Sequence, residues 1–339
     1  MISFLILANG QQVAARNMAG ELWLADLEQP VSSCRKIWQT PGGNFNTFGS
    51  GPMGRCCLHN GFNRGEGWLV PTDGSRPIRL GPTSGGLGGF AVDETHSLAA
   101  VSGSFARMNM PDEPVIRILD LNSGETRKLR GEGESGYWGL HFLSQDSLLS
   151  WGHFGLLLWD LENGTYEKLS QRGFAGSRVD ATQKYLLGTA GDQGTMNYNE
   201  YCLVDIPNRT ETLIPFPETS VSRALSPGAT YMVLGMEDGR VFYQPLPDGT
   251  CHLLLWHKTC VDDVWIAPDG REFRTVSDDG VVLTWQVPAG PPSHDLPHTD
   301  FVNMLRAQTN LRVKADLEAE EGYTIYYDTF PGWEKNPTW

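Results

Sequence analysis

A short apolar run with strand-like composition recurs seven times along this 339-residue chain at a nearly constant interval. The runs are WLADL, WLVPT, IRILDL, LLLWDL, YCLVDI, VFYQPL and VVLTWQ, and their aligned anchor residues are Asp26, Pro71, Asp120, Asp160, Asp205, Pro245 and Gln286. Successive anchors lie 45, 49, 40, 45, 40 and 41 positions apart. A period of ~40–45 residues matches one four-stranded sheet of a repeat protein. Because such a sheet cannot bury its faces alone, the pattern predicts seven sheets stacked around an axis.

The clearest unit spans residues 257–285. Its runs VDDVWIA, FRTVS and VVLTW have strand length, and Pro-Asp-Gly and Asp-Asp-Gly turns separate them. Turns such as LNSGE, LENGT, IPNRT and LPDGT follow most anchors and lead to the short runs TRKLR, YEKLS, TETLI and HLLLW. Asn, Asp and Gly allow a hairpin to reverse at these points. Each unit is therefore predicted to be a four-stranded antiparallel sheet.

The polar residues of this unit resemble a blade of the WD-repeat (WD40-type) β-propeller family. In that family a His, a Ser or Thr, an Asp and a strand Trp hydrogen-bond inside each blade, and the matching residues here are His257, Thr275, Asp279 and Trp285. A buried indole, hydroxyl and imidazole each need a partner, which such a network supplies. Gln286 stands where the family has Asp, and only the fourth unit carries a literal pair, Trp159 and Asp160.

The predicted fold class is all-β: a seven-bladed WD40-like β-propeller over residues 1–298, with a C-terminal helix and hairpin over residues 299–339 packed on it. Met1 lies in or beside the first predicted strand, so we expect no leading segment to complete the last blade. That blade is expected to take its fourth strand from residues 291–298 or from the tail. How the ring closes is left open by the sequence.

The tail breaks the repeat pattern. TDFVNMLRAQTN, residues 299–310, predicts one short helix, and the runs LRVKADL and YTIYYDTF predict two strands. The stretches TNLRV, GY and FPGWE resemble tails that close bacterial WD-repeat regions, including regions attached to serine/threonine kinase domains. No kinase motif is present in this chain. We expect Phe330, Trp333 and Trp339 to dock into the propeller, because their side chains are large and apolar.

Composition indicates which kinds of partner and which cellular compartment to expect. A formal net charge of −14 argues against a nucleic acid or an anionic membrane as partner, since both bind basic faces. No signal peptide and no run of roughly 20 apolar residues is present, so a cytoplasmic location is expected. Six irregularly spaced cysteines favour reduced thiols over a disulfide framework.

Several motifs with possible chemistry are better explained by structure. Cys251, His252, His257 and Cys260 lack the paired spacing of a zinc site, and Cys56 and Cys57 point to opposite faces of a strand. The glycine-rich residues 81–90 lack the Lys-Ser/Thr ending of a phosphate loop, and residues 120–125 only loosely match a calcium loop. His153 aligns with Asp279 in a turn. No catalytic residue, metal or cofactor is predicted.

Function is predicted from three loops that follow the second strand of units two, three and five, which we expect to be longer than the equivalent turns EDG and DDG of units six and seven. They carry aromatic, Met and Arg residues, which protein interfaces favour: Phe62, Arg64, Phe105, Arg107, Met108, Met196 and Tyr198. The alternative is that these loops merely fold over the mouth of the ring. We predict a non-catalytic interaction scaffold or regulatory subunit of a bacterial signalling assembly, whose partner is another protein and not a small-molecule substrate. The competing class is a propeller enzyme, such as a hydrolase with its site in the central mouth.

Overall fold

The computed structural model describes residues 2–17, 19–39, 45–50, 56–61, 66–82, 89–93, 95–104, 114–131, 137–192, 200–247, 249–287, 297–300, 302–303, 311–316 and 323–327. Contacts divide the chain into two compact units, Met1–Gln286 and Val287–Trp339. No helix in the described ranges is long and apolar enough to cross a membrane.

Unit one is built from consecutive antiparallel sheets. Sheets one to three contain β1 (Ile2–Ile6), β2 (Gln12–Asn17), β3 (Glu21–Asp26) and β4 (Arg35–Gln39); β5 (Phe45–Ser50), β6 (Cys56–Gly61), β7 (Glu66–Pro71) and β8 (Ile78–Pro82); and β9 (Phe90–Asp93), β10 (Leu98–Ser104), β11 (Pro114–Asp120) and β12 (Thr126–Arg130). A four-residue helix, α1 (Pro30–Ser33), precedes β4, and the sequence pattern did not predict it.

The remaining sheets of unit one continue the same order. Sheets four to seven contain β13 (Gly139–Ser144), β14 (Ser147–Gly152), β15 (Gly155–Asp160) and β16 (Thr165–Ser170); β17 (Gly173–Val179), β18 (Tyr185–Gly191), β19 (Glu200–Asp205) and β20 (Thr210–Ile214); β21 (Ser222–Leu225), β22 (Tyr231–Gly235), β23 (Arg240–Pro245) and β24 (His252–Trp256); and β25 (Val261–Ile266), β26 (Glu272–Ser277) and β27 (Val282–Gln286). A 3₁₀ turn, Pro227–Ala229, joins β21 to β22.

The seven predicted anchor runs are all third strands. They coincide with β3, β7, β11, β15, β19, β23 and β27. The predicted fourth strands after the third to sixth anchors are β12, β16, β20 and β24. Both predictions are confirmed because they rest on local patterns, namely strand-length apolar runs and turn residues. At Asp120, for example, the carboxylate accepts the backbone N–H groups of Asn122 and Ser123 at 2.8 Å, which makes residues 120–125 a hairpin turn.

Apolar clusters join neighbouring sheets from the first to the sixth. In one cluster Ile116 and Ile118 of sheet three pack with Leu148 and the fully buried Trp159 of sheet four. Four further clusters join sheets one to two, two to three, four to five and five to six. First strands contact one another between sheets one and two and from sheet three through to sheet seven, and β1 contacts β25, so sheet seven returns to sheet one. This arrangement is a β-propeller whose inner ring of strands consists of the first strand of each sheet.

Within the described residues of unit one, six sheets have four strands and the last has three. The predicted fourth strand of the last sheet was sought in residues 291–298 or in the tail. Residues 288–296 lie outside the described ranges, so this prediction is not tested there.

Unit two contains a predicted hairpin and a helical stretch. Residues 298–300 and 302–303 are helical, within the region predicted as a helix. β28 (Leu311–Ala315) and β29 (Tyr323–Tyr327) pair antiparallel, which confirms the two predicted strands. The compact unit that contains this hairpin begins at Val287. Phe330, Trp333 and Trp339 lie outside the described residues, so their docking stays a prediction.

Candidate functional site

The predicted partner-binding residues lie outside the described residues. The structure does describe the strands that flank them: β6 and β7 enclose residues 62–65, β10 and β11 enclose residues 105–113, and β18 and β19 enclose the loop around residues 192–199. All three loops therefore join the second strand of a sheet to the third. Because all sheets of a propeller have the same strand order, the strand ends that these segments connect lie on one face, which we call the loop face.

The loop in sheet two is shorter than its sequence indicated. His59, Asn60 and Gly61 belong to β6, and Glu66 and Gly67 belong to β7. Only residues 62–65 separate the strands, the same length as residues 236–239 in sheet six and 278–281 in sheet seven. A polar, glycine-containing sequence was interpreted as loop, but the strand ladder extends through it. The expectation of extra residues holds for sheets three and five and is wrong for sheet two.

The described turns on the loop face are acidic in the last two sheets. Glu237 and Asp238 lie between β22 and β23, and Asp278 and Asp279 lie between β26 and β27. Asp238 pairs with Arg240 at 2.7 Å. The pKa of the Cys260 thiol is raised by burial first, then by Asp262, and also by the carboxylates of Asp278 and Glu237. This part of the loop face therefore presents a local negative field.

His257, Thr275 and Trp285 form a hydrogen-bonded chain inside sheet seven. The Trp285 Nε1–H donates to Thr275 Oγ1 at 3.1 Å, and His257 Nε2 lies 2.8 Å from the same hydroxyl. Thr275 is fully buried and His257 is nearly so. The indole donates to one lone pair of the hydroxyl, which leaves the Thr275 O–H free to donate to His257 Nε2. In that arrangement the imidazole proton is on Nδ1.

Asp279 lies beside this chain but bonds elsewhere. Its carboxylate accepts the Ser277 hydroxyl and the backbone N–H of Val281, the latter at 2.9 Å. The buried His257 Nδ1 has no hydrogen-bond partner. Burial lowers the pKa of His257 and the nearby Asp279 charge partly offsets that effect, so the imidazole is neutral at neutral pH. Three of the four residues expected from the family pattern are thus linked directly, and Asp279 acts through its charge.

A related pair stabilises sheet four. The Nε1–H of the fully buried Trp159 donates to Ser150 Oγ at 2.8 Å, as Trp285 does to Thr275. His153 lies in the turn between β14 and β15, as expected from its alignment with Asp279, and its ring packs edge-on against Trp138 with centroids 4.1 Å apart. Ser150 was missed at the sequence level, although a hydroxyl residue nine positions before the Trp of the Trp-Asp pair was a usable signal.

Two adjacent carboxylates on β25 join the last sheet to the first. The Phe4 N–H donates to Asp262 Oδ2 at 2.8 Å, and the Ile6 N–H donates to Asp263 Oδ2 at 2.9 Å. Trp265 adds a third bond, from its Nε1–H to the carbonyl of Ala8 at 3.1 Å. These contacts, which we call the seam, bring together residues from opposite ends of unit one. No sequence motif marked either carboxylate as a closure residue.

The seam carboxylates are held in an unfavourable environment for charge. Burial raises the pKa of Asp263 to about 6, although Arg178 and the Ile6 N–H act in the opposite direction. Burial also raises the pKa of Asp262 to about 6, with the neighbouring Asp278 carboxylate adding to the effect and the Phe4 N–H opposing it. Desolvation therefore outweighs the hydrogen bonds that favour the charged forms.

One described group has atoms that a metal ion could use. Cys260, Asp262 and Asp278 place a sulfur and two carboxylate oxygens within 4.8 Å of one another. Burial and the two carboxylates raise the pKa of the Cys260 thiol to about 11, so it is protonated at neutral pH. Arg16 supplies positive charge near Asp262. We therefore assign no ion to this group, and the sequence prediction of no metal stays a prediction.

The cysteine and histidine residues considered earlier do not form one cluster in the described part of the chain. His257 is bonded to Thr275, while Cys260 faces Asp262 and Asp278. Cys34, Cys202, Cys251 and Cys260 are free thiols. The side chains of Cys56, Cys57 and His59 lie outside the described residues, as do residues 83–88 of the glycine-rich stretch that connects β8 to β9.

The stacked sheets and their ring of first strands define a β-propeller protein. Many solved structures share this fold. One of them is hydrazine synthase from Kuenenia stuttgartiensis, with a TM-score of 0.58 and 11% sequence identity over 85% of this chain and 95% of that chain. At this identity the likeness shows the fold alone. The sequence matches no family model and no curated protein.

Proposed function

We propose that the protein is a non-catalytic protein–protein interaction scaffold or regulatory subunit of a bacterial signalling assembly. Its body would be a seven-bladed WD40-like propeller in which β25–β27 belong to the seventh blade. The seven third strands at anchor steps of 40–49 residues support this blade count. The Trp-to-hydroxyl bonds in sheets four and seven, together with the His257 contact, support the WD-repeat resemblance.

The observation that carries the proposal is the length of two connections on the loop face. Residues 105–113 and 192–199 are longer than the two-residue turn between β14 and β15, although these segments join equivalent strands. A longer connection costs ordering entropy without extending the sheet. Their Phe105, Arg107 and Tyr198 are of the types that interfaces favour. A partner surface is a physical reason for such loops on a rigid ring.

The charge of the loop face indicates what charge the partner's contact surface should carry. Glu237, Asp238, Asp278 and Asp279 occupy its turns in the last two sheets, and the chain as a whole carries a net charge of −14. A neutral or basic partner surface complements this field, and electrostatic complementarity raises the association rate. Arg64 and Arg107 are local exceptions that would each receive a partner carboxylate. We also propose a cytoplasmic location.

The test is loss of binding without loss of stability. Affinity purification from the native cell identifies the partner, and Phe105, Arg107 and Tyr198 are then changed to Ala singly and together. We expect the triple variant to lose at least tenfold in affinity with an unchanged melting temperature. The matched control, Leu213→Ala with Arg271→Ala, changes an exposed apolar residue and an arginine on β20 and the turn after β25, and it should retain binding. Unchanged binding in the triple variant contradicts this site.

The enzyme alternative makes a different prediction. A hydrolase in the central mouth would need a reactive group, and Cys260, Asp262 and Asp278 are the described residues whose spacing suits a metal. Metal analysis of the purified protein and an activity screen separate the two functions. Stoichiometric metal with turnover that Asp278→Asn abolishes would overturn the scaffold proposal.

A further inference from the structure

Two arginines on neighbouring strands of the inner ring have no acidic partner among the described residues. Arg178 on β17 is exposed, while Arg223 on β21 is only 6% exposed. Four other arginines of the described residues are ion-paired: Arg172 with Glu200, Arg209 with Glu167, Arg240 with Glu218 and Arg274 with Glu272. Arg178 and Arg223 differ from these four, although the protein has 40 acidic and only 26 basic residues.

Only some of the hydrogen-bond donors of Arg223 have an acceptor. Its Nη2 donates to the carbonyl of Ser220 at 3.0 Å, and its Cζ lies 5.5 Å from the centre of the Tyr201 ring. Its Nη1 is buried and has no hydrogen-bond partner. A buried donor without an acceptor costs the full desolvation of that group, so native structures rarely leave one. The buried hydroxyls of Ser177 and Ser220 also lack partners.

The Arg178 guanidinium lies close enough to Arg223 to affect its pKa. Burial lowers the pKa of Arg223 to about 10, and the Arg178 guanidinium contributes to the lowering. Asp263 is close enough for Arg178 to affect its pKa, but the Asp263 carboxylate accepts the Ile6 N–H at the seam and forms no ion pair with Arg178. Two guanidinium groups thus lie near each other on the inner ring, and guanidinium groups are the side chains best suited to bind carboxylate and phosphate oxygens.

The backbone beside the two arginines contains a bulge and a glycine with positive φ. β17 has a bulge between Ala175 and Arg178, and bulges re-aim side chains next to functional sites. Gly176, inside the bulge, has a φ of +56°. A Cβ at Gly176 would lie 3.0 Å from Arg223 Nη2, so a side chain there would crowd the guanidinium. Gly176 is exposed, so the Arg223 guanidinium lies beside a stretch of backbone that solvent reaches.

We propose that Arg178 and Arg223 form a binding site for a small oxyanion, carried by a ligand with a carboxylate or phosphate group. The exposed Arg178 makes the first contact. Rotation of the Arg223 guanidinium past Gly176, which has no side chain to block it, brings Nη1 to the same anion. Planar guanidinium groups bind two oxygens of a carboxylate or phosphate at once. This ligand class goes beyond the protein partner proposed above and does not depend on it.

The experiment titrates the full-length protein with sodium phosphate and, separately, sodium succinate by calorimetry at constant ionic strength. We expect saturable binding of at least one anion at a single site. Arg178→Met should weaken that binding at least tenfold, and the double variant with Arg223→Met should abolish it. Phosphate alone binding identifies a phosphate-bearing ligand, succinate alone a carboxylate, and both a general oxyanion site.

The matched control is Arg271→Met, which removes an exposed arginine on the turn between β25 and β26 and should leave affinity unchanged. Arg178 is exposed, so its variant tests the site even if Arg223→Met fails to fold. Absence of saturable binding of either anion, or equal loss in Arg178→Met and Arg271→Met, overturns the proposal. So does binding retained by a folded Arg223→Met variant, which would show that Arg223 serves only the packing against Tyr201.

Discussion

The backbone N–H of Ile6 donates a 2.9 Å hydrogen bond to the carboxylate of Asp263, a residue 257 positions later in the chain. With the parallel contact from Phe4 to Asp262, this bond joins the first and last sheets of the propeller through side chains. Closure at this seam therefore includes a titratable element. The contribution of the two carboxyl groups to the free energy of unfolding depends on pH, because both have raised pKa values.

The first prediction concerns Asp263→Asn. The pKa of Asp263 is raised from 3.8 to about 6 in the folded protein. Its contribution to stability is therefore fully present below about pH 4 and lost as pH rises through about 6. A neutral Asn keeps an oxygen for the Ile6 N–H and removes the buried charge. Relative to the wild type, we expect the variant to gain up to about 3 kcal/mol between pH 4 and pH 7.5.

Urea denaturation at intervals from pH 4 to pH 8 measures this difference. The control is Asp269→Asn on the exposed turn after β25, which should follow the wild-type profile. If the difference between Asp263→Asn and wild type is constant across this range, Asp263 does not titrate as described.

The second prediction concerns the hydroxyl at the centre of the sheet-seven network. Thr275→Val keeps the shape but leaves His257 Nε2 and Trp285 Nε1 without their partner. Leaving buried polar groups unsatisfied should cost about 2–4 kcal/mol in the free energy of unfolding. Thr275→Ser keeps the hydroxyl and should cost less. Thr284→Val, an exposed position on β27, controls for the substitution, and equal effects at both positions would contradict a role for the hydroxyl.

The third prediction separates backbone strain from lack of space at two glycines. Gly10 and Gly124 have similar positive φ values, +68° and +75°. A Cβ on Gly10 would lie 2.3 Å from the Trp265 ring at the seam. A Cβ on Gly124 would have no neighbouring heavy atom within 4 Å. Gly124→Ala should cost about 1 kcal/mol from strain alone, and Gly10→Ala about 2–4 kcal/mol because overpacking adds to it. Thermal unfolding of both variants measures this order, and the reverse order would contradict it.

The fourth prediction concerns the tail. Phe330, Trp333 and Trp339 are expected to bury apolar surface on the propeller, at about 1.5–3 kcal/mol for each fully buried side chain. A protein truncated after Gly290 should therefore melt several degrees below the full chain. Substituting only these three residues with Ser in the full-length chain separates docking from loss of the whole segment. A melting temperature unchanged by both changes would indicate a free binding arm.

The sequence by itself determined the strands and the order in which they pair. Runs such as LLLWDL carry the pattern of a central strand, and turns such as the one that follows Asp120 are closed by the side chain of their own first residue. These are interactions between near neighbours in the chain, so spacing and residue type are enough to predict them. The same local reasoning identified His257, Thr275 and Trp285, because the family pattern places them at set intervals in one sheet.

Only the tertiary structure decided how the ring closes and which polar groups meet on its inner strands. Adjacent strand residues normally point to opposite faces, so Asp262 and Asp263 gave no sign that both would bond β1. A bulge between Val261 and Asp263 shifts the register and makes this possible. Arg178 and Arg223 likewise come together from two sheets. Such contacts depend on the stacking of whole sheets, and the free energy of that stacking is not encoded in any one segment of the sequence.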